Sequence, residues 1–372
     1  MKESLRSERK EGRFVKIFLL VIFLCLSLSS CSLIWPSEDG RGLFPIQQNG
    51  KWGYIDKAGK IVINPQFDRA DSFSEGLALV SIGDNLGFID PTGKFVINPQ
   101  FSNAQGFSQG LAMVRLTSQR EGRSELKCGY IDTSGKFVIQ PQYSSAESFS
   151  EDLALVSIQS KSGYVDRNGR IVVTPQFDAG GGSNLIGKFS EGLAAVVKEG
   201  KLGFIDKLGT FAIAPQFGPH GMPGENDARF SDGLAPVYQD GSSQSKCGYV
   251  DRTGKVMSFQ FDQCYAFSEG LASVKIGGKF GFVDTNGAII INPQFEDASS
   301  FSGGLASVRV GEKVGYTDKT GRIVVIPQFS QAMGFRNGLA MVIVTKGGYM
   351  DSNDARIGYI DKTGKYIWNP TK

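Results

Sequence analysis

Histidine is almost absent from this chain of 372 residues, which has His220 and no other. A single histidine excludes an HExxH zinc site and any metal site built from several imidazoles. It also leaves no Ser-His-Asp set beyond the Gly/Pro-rich segment FGPHGMPGENDARF, in which His220 lies. Glycine is abundant, but its 48 copies form neither GxxxxGK(S/T) nor a strand-linked GxGxxG. The sequence therefore offers no metal ligand set, no cofactor site and no evident catalytic centre.

An excess of charge of one sign is also lacking once the N-terminus is set aside. The whole chain has 40 basic and 37 acidic side chains, and residues 1–30 hold six of the basic and three of the acidic ones. The remainder carries 34 of each, so its formal net charge is zero. Binding to nucleic acid phosphates needs a basic surface, so this balance argues against nucleic acid as a partner.

Cysteine is sparse too, with five copies, which excludes a fold held together by many disulfides. Cys128 and Cys247 occupy the same place in a repeated pattern where other copies have apolar residues, so we expect both to be small buried side chains. Cys264 follows Cys247 closely in the sequence. A disulfide between these two is compatible with an oxidising compartment, and the sequence leaves it open.

The N-terminus has the order of a secretory signal: basic residues, an apolar run from Ile17 to Leu28, then small residues. The run is too short for a typical transmembrane helix. Leu28-Ser29-Ser30-Cys31 resembles the lipobox of bacterial lipoproteins. The resemblance implies cleavage after residue 30, lipidation of Cys31 and a lipid anchor in the cell envelope, in the outer membrane of a Gram-negative cell because Ser32 follows. An ordinary signal peptide that ends near a cysteine is the alternative, and residues 31–41 read as a polar tether.

One sequence motif then recurs nine times between Gly42 and Pro370. It consists of a GLAxV segment, an xG(Y/F)(I/V)D segment and a final G-K/R-x-V-I-x-P-Q-F segment. A period of about 34 residues is typical of repeat architectures, in which each unit buries its apolar face against its neighbours. The repeat region spans residues 42–372. Its units begin near residues 42, 76, 110, 152, 192, 233, 270, 304 and 338.

The first unit shows how each copy is expected to fold. Lys51 to Asp56 alternates aromatic and aliphatic residues as a strand does, and Asp56-Lys57-Ala58-Gly59 suits a hairpin loop to a second strand. Pro65 removes a backbone donor and is expected to end the pairing. We expect about three antiparallel strands per unit and no helix longer than one or two turns.

Aromatic residues recur at three positions of the unit and are expected to form the shared core. The alternative is a ladder of exposed rings that stack on sugars. The first position holds Tyr54, Phe88, Tyr130, Tyr164, Phe204, Tyr249, Phe282, Tyr316 and Tyr359. The second holds Phe67, Phe101, Tyr143, Phe177, Phe217, Phe261, Phe295 and Phe329, and the third Phe73, Phe107, Phe149, Phe189, Phe230, Phe267, Phe301 and Phe335.

The segment KWGYIDKAGKIVINPQFDRADSFSEGLALV resembles the bacterial WG repeat, called after the pair seen at Trp52-Gly53. The resemblance extends over residues 42–370, although the tryptophan itself occurs only in the first unit. It implies a repeat architecture and no enzymatic activity or cofactor. The expected fold is all-β, either a propeller-like ring, in which the first strand pairs with the last unit, or an open β-superhelix.

Long connections interrupt the repeat at a regular interval. The distance from the strand valine to the next strand glycine is seven residues in six units, but longer in units three, six and nine. This spacing predicts either a triplicated block of three units or three units per turn, with the long loops on one face.

The function predicted from these features is a non-catalytic scaffold, tethered to a membrane, that binds a protein or peptide partner through its irregular loops. The competing interpretation is that these loops vary in length and sequence without having a function. The loops are 115–127, 180–188, 218–229, 239–246 and 345–356, and their candidate contact residues are Arg115, Arg120, Arg123, His220, Tyr238, Tyr349 and Asp351.

Two other classes remain open at this point. A glycan-binding array would use exposed aromatic rings. An envelope hydrolase would use the hairpin aspartates as paired carboxylates, but nine identical placements before a turn glycine favour a structural role for them. These aspartates are Asp56, Asp90, Asp132, Asp166, Asp206, Asp251, Asp284, Asp318 and Asp361.

Overall fold

A computed structural model describes residues 42–120, 123–178, 186–219, 228–242, 244–345 and 354–371. Nine small antiparallel sheets follow one another around a ring, so the fold is a nine-bladed β-propeller. The described residues contain no helix, and in six blades the stretch before the A strand contains a two-residue strand and a tight turn. The open superhelix is therefore wrong and the ring is confirmed.

Each blade is built from three long strands, called here A, B and C, and in six of the described blades from a short strand that precedes A. The strand order is short-A-B-C. The A strands are β1 (Phe44–Gln48), β5 (Ala78–Ile82), β9 (Leu111–Arg120), β13 (Leu153–Ile158), β16 (Ala194–Lys198), β19 (Leu234–Tyr238), β23 (Leu271–Ile276), β27 (Ala306–Val310) and β31 (Leu339–Val344).

The B strands are β2 (Lys51–Ile55), β6 (Asn85–Ile89), β10 (Arg123–Asp132), β14 (Lys161–Asp166), β17 (Lys201–Ile205), β20 (Cys247–Asp251), β24 (Lys279–Asp284), β28 (Lys313–Thr317) and β32 (Arg356–Asp361). The C strands are β3 (Ile61–Phe67), β7 (Phe95–Phe101), β11 (Phe137–Tyr143), β15 (Ile171–Asp178), β18 (Phe211–Phe217), β21 (Val256–Phe261), β25 (Ile289–Phe295), β29 (Ile323–Phe329) and β33 (Tyr366–Thr371). The short strands are β4 (Arg69–Ala70), β8 (Asn103–Ala104), β12 (Ser145–Ala146), β22 (Gln263–Cys264), β26 (Asp297–Ala298) and β30 (Gln331–Ala332).

The C strand continues through its proline, contrary to the expectation that pairing ends there. In the second blade Phe88 pairs with Ile97, and after a register shift Leu86 pairs with Phe101, so the segment around Pro99 is a bulge. The B-strand glycine makes this bulge fit. A Cβ on Gly87 would lie 2.6 Å from the carbonyl oxygen of Ile97 and 2.7 Å from the nitrogen of Pro99.

Adjacent blades are joined by the predicted aromatic core. Eight B-strand rings contact the phenylalanine that precedes the next A strand, with ring centroids 4.7–5.0 Å apart. Where the B-strand ring is a tyrosine, its hydroxyl donates to a backbone carbonyl of the next blade, as Tyr130 does to Glu147 at 2.7 Å. Burial raises the pKa of the Tyr130 hydroxyl, which therefore stays a donor.

The ring closes by packing, not by exchange of a strand. The strand β1 pairs with β2 of its own blade, so the expected pairing with the last unit is wrong. Instead Tyr359 donates its hydroxyl to the carbonyl of Pro45 at 2.8 Å, and Thr371 donates to the carbonyl of Gln47 at 2.6 Å. Phe44 and Tyr359 also pack ring to ring at 5.5 Å. The last blade thus contacts the first through the same face that every other blade offers to its successor.

A disulfide joins Cys247 to Cys264 and so links the B strand of the sixth blade to the short strand of the seventh. The other described short strands end in alanine where β22 ends in Cys264. Cys128 occupies the place of Cys247 in the third blade, is buried as expected, and is free because Ala146 takes the other position.

Adding a methyl group at the B-strand glycine should open the bulge. We expect Gly87→Ala to lower the free energy of unfolding by about 1–3 kcal/mol, the usual cost of overpacking. Gly106→Ala is the matched control, because its Cβ would meet nothing closer than 3.9 Å. Urea unfolding of the two variants measures the difference, and equal losses would contradict the role given to Gly87.

Removing the disulfide should destabilise the ring at one joint. We expect the double variant Cys247→Ala/Cys264→Ala to lose about 2–4 kcal/mol of unfolding free energy, because the unfolded chain is no longer constrained. Thermal unfolding with and without reductant checks this. Reductant should lower the midpoint of the unaltered protein and of Cys128→Ala, but not that of the double variant.

Candidate binding surface

The two faces of the ring differ in the kind of connection that they carry. One, called here the turn face, carries the Asp-x-x-Gly turns from B to C and the tight turns that begin each A strand. The other, called the hairpin face, carries the A–B hairpins and the connections from each C strand to the next blade. Antiparallel pairing within each blade fixes this division.

The turn face is uniform because every blade repeats the same hydrogen bonds. In all nine Asp-x-x-Gly turns the aspartate Oδ1 accepts the backbone N–H groups two and four residues later, as Asp56 does from Ala58 and Lys60 at 2.9 Å each. The turn glycine takes a positive φ, +83° at Gly59. The nine carboxylates thus share one structural environment, whereas a pair of catalytic carboxylates needs two unlike ones.

The tight turns link neighbouring blades directly. Both central residues of Ser74-Glu75-Gly76-Leu77 have positive φ, at 52° and 86°, which is the type I′ pattern. Ser74 Oγ donates to the carbonyl of Phe107 in the next blade at 2.7 Å, and Glu75 accepts the N–H of Gly110 at 2.8 Å. Equivalent points of neighbouring blades are closest near the axis of a ring, so these turns surround its centre.

All five irregular segments leave the ring from the hairpin face. Three are A–B connections, in blades three, six and nine, and two lie between a C strand and the next blade, after blades four and five. The long loops of units three, six and nine all connect an A strand to a B strand, so this topology agrees with the prediction that they share a face. The prediction of three units per turn is wrong, since nine blades make one turn.

The segment 115–127 is a paired β-hairpin and not an irregular loop. The strands β9 and β10 have ten residues each and stay in register as far as the pair Arg120–Arg123. Their outer halves extend beyond the neighbouring C strand, which pairs with β10 only from Cys128 onward. The third blade therefore carries a projecting two-stranded arm on the hairpin face.

The candidate contact residues are only partly on this surface. Arg115 is half-buried at the base of the arm, and its Nε lies 3.4 Å from Cys128 Sγ. Tyr238 is 5% exposed and lies in β19, so it belongs to the core, and its assignment to a loop is wrong. The backbones of Arg120 and Arg123 lie in the arm. Cys31, His220, Tyr349 and Asp351 lie outside the described residues.

The predicted aromatic positions are not on the surface. The rings at the first and second positions are at most 3% exposed, and at the third position only Phe73 is more than slightly exposed. A ladder of exposed rings for stacking on sugars is therefore missing from these positions.

Comparison with known proteins agrees with the repeat seen in the strands. The profile of the WG containing repeat matches residues 52–85, 87–117, 129–161, 163–201, 248–280, 280–313 and 315–349. The chain belongs to the WG-containing repeat family. No curated protein matches this WG-repeat chain by sequence.

Solved structures resemble the WG-repeat ring in fold alone. A eukaryotic initiation factor superposes with a TM-score of 0.62 and 11% identity, covering 89% of this chain and 97% of that one. Dipeptidyl peptidase 4 of Porphyromonas gingivalis gives a TM-score of 0.52 and 10% identity, covering 91% of this chain and 60% of that one. In the part of the chain that the structure describes, no helix is long and apolar enough to span a bilayer.

The turn aspartates predict how stability depends on pH. The Thr253 hydroxyl and two backbone N–H groups hold the pKa of Asp251 below its ordinary value of 3.8, and the same arrangement lowers that of Asp132 and Asp318. A carboxyl whose pKa is lower in the folded chain stabilises it above the unfolded pKa, and this contribution disappears as the pH falls through the folded pKa.

We therefore expect the free energy of unfolding to fall below about pH 4. The variant Asp251→Asn isolates one turn. The variant's free energy of unfolding should fall furthest below that of the unaltered protein near neutral pH. The difference should shrink in acid, where Asp251 itself is uncharged. Chemical unfolding across this range measures the difference, and a difference independent of pH would contradict the argument.

Proposed function

We propose that this protein is a non-catalytic scaffold, anchored by a lipid on Cys31 outside the cytoplasm, that binds a protein or peptide partner through the hairpin face. The observation that carries the proposal is that the strands flanking all five non-repeating segments end at that face. The turn face keeps one hydrogen-bonding scheme in every blade, whereas the hairpin face varies from blade to blade. Binding surfaces of repeat proteins are commonly such a variable face on a rigid framework.

Four of the five segments follow one another along one arc of the ring. They are the arm of blade three, residues 179–185, residues 220–227 and the connection after Tyr238 in blade six. Their points of attachment therefore lie on consecutive blades, within reach of one partner. The arm contributes charges of both signs at its described base, where Lys127 and Glu125 form an ion pair at 3.2 Å.

The extracytoplasmic location is supported by the disulfide as well as by the signal-like N-terminus. Disulfides persist in oxidising compartments and are rare in the cytosol. The bond between Cys247 and Cys264 fits a chain that is exported before it folds. The lipobox-like Leu28-Ser29-Ser30-Cys31 then supplies the attachment point.

Anchoring is tested by fractionating cells that express the unaltered protein or Cys31→Ser. We expect the unaltered protein in the membrane fraction, with an N-terminal peptide that carries acyl chains by mass spectrometry, and the variant in the soluble fraction. A membrane-bound variant with no acylated peptide in either sample would refute the lipid anchor.

Partner binding is tested by replacing the arm, residues 115–127, with the short connection of blade two, Ser81 to Asn85. This graft restores the spacing of the regular units. We expect crosslinking in intact cells to recover a partner with the unaltered protein and at least tenfold less with the graft, as is usual when the centre of an interface is removed.

Lys207→Ser on the turn face is the control for the graft and should recover the partner normally. Lys207 forms only an exposed ion pair with Glu151, at 3.3 Å, so the fold should tolerate its loss. Equal recovery by the graft and the unaltered protein would count against the hairpin face as the binding surface.

A further inference from the structure

A pocket of about 360 Å³ lies where blades seven, eight and nine meet, within the size range of small-molecule sites. Its walls include Tyr265 of blade seven and Met333 of blade nine, which occupy equivalent positions just after their short strands. Between them, blade eight contributes Ser299 and Ser307. The pocket thus spans three consecutive repeats.

Blade eight has small residues at two adjoining positions that line the pocket. Ser299 and Ser307 form a hydrogen bond between their hydroxyls at 2.9 Å, and Ser307 is nearly buried. Where blade eight has Ser307, blades two and four have leucine and blades three and nine have methionine, whereas blade five has Ala195 and blade seven Ser273. Val314 also lines the pocket.

Two opposite charges border the pocket, and each makes its hydrogen bonds elsewhere. Asp297 and Arg309 are direct cross-strand partners. Asp297 Oδ1 accepts the N–H of Ala298 at 3.0 Å, and an Arg309 terminal nitrogen donates to the carbonyl of Glu312 at 3.1 Å. Both groups keep hydrogen-bonding capacity for a ligand, since a carboxylate accepts several bonds and a guanidinium donates five.

This pair is specific to one blade. The first residue of each short strand that the structure describes pairs with one residue of the A strand. These six pairs are Arg69–Ser81, Asn103–Arg115, Ser145–Ser157, Gln263–Lys275, Asp297–Arg309 and Gln331–Ile343. Only blade eight sets an acid opposite a base. The charges therefore lie in the same blade as the lining serines Ser299 and Ser307.

We propose that this pocket binds a free apolar amino acid by its α-carboxylate and α-ammonium, or the C-terminal residue of a short peptide by its carboxylate and amide N–H. The Arg309 guanidinium donates to the ligand carboxylate, and the Asp297 carboxylate accepts from the ammonium or the amide N–H. The apolar side chain lies between Tyr265 and Met333, beside Val314. This site is separate from the arc of insertions and does not depend on the proposed partner binding.

Isothermal titration calorimetry of the purified protein with L-leucine, L-methionine, L-phenylalanine and the dipeptide Leu-Leu tests the site. We expect at least one of these ligands to bind, and Arg309→Gln to weaken it about tenfold or more, since a charge-assisted bond is lost. Ser307→Leu should abolish binding by placing in the pocket the side chain that blades two and four carry. Binding of Leu-Leu without leucine would assign the site to peptide ends and still support it.

The control is Arg69→Gln, which removes an arginine from the equivalent cross-strand pair of blade two, where the partner is Ser81. It should bind as the unaltered protein does. L-Leucinamide lacks the carboxylate, so the unaltered protein should prefer leucine over it and Arg309→Gln should not. The absence of binding by all four ligands, or an equal loss in Arg69→Gln, would overturn the proposal. The arm-graft variant should still bind the amino acid ligand. Failure of the pocket proposal can therefore be told apart from failure of the proposed partner binding.

Discussion

The contact between the aromatic ring of a B strand and the phenylalanine that precedes the A strand of the next blade is the interaction on which the ring depends. A single blade of three or four strands has too little apolar surface to fold alone, so its core must be completed by a neighbour. The buried rings supply that core at every joint, as Tyr249 does with Phe267. At the closure this contact is made by a different residue, since Phe44, which lies in β1 itself, packs against Tyr359.

This dependence explains why so much of the sequence is repeated and where it is free to vary. The B-strand glycine must stay small against the proline bulge, and the turn aspartate must cap its own turn, so neither position can also change its chemistry for a ligand. The hairpin face is under no such constraint, because the A–B connection can lengthen without moving the strands that it joins. The ten-residue strands β9 and β10 show this, since they extend in register from an ordinary blade.

Much of the fold was predictable because it follows from local rules that recur nine times. The strands, the turns and the aromatic core follow from alternation, from Asp-x-x-Gly and from three aromatic positions. The proline bulge was missed because it depends on Gly87 in a neighbouring strand, which no local rule for Pro99 includes. The place of Tyr238 was missed because a long connection was assumed to begin as soon as the regular spacing ended. A signal for the disulfide was present, since Cys264 replaces the alanine that ends the other described short strands.

The pocket shows how a ring of similar units acquires a specific site. Neighbouring blades meet along similar surfaces, and at the pocket several substitutions at adjoining positions coincide. In blade eight, Ser299 and Ser307 remove bulk at two such positions, and Asp297 and Arg309 add opposite charges beside them. Neither change requires an insertion, and neither disturbs the aromatic joint, because Phe282 and Phe301 still pack at 4.8 Å. The regular framework of this repeat protein thus carries a cavity that is separate from its variable segments.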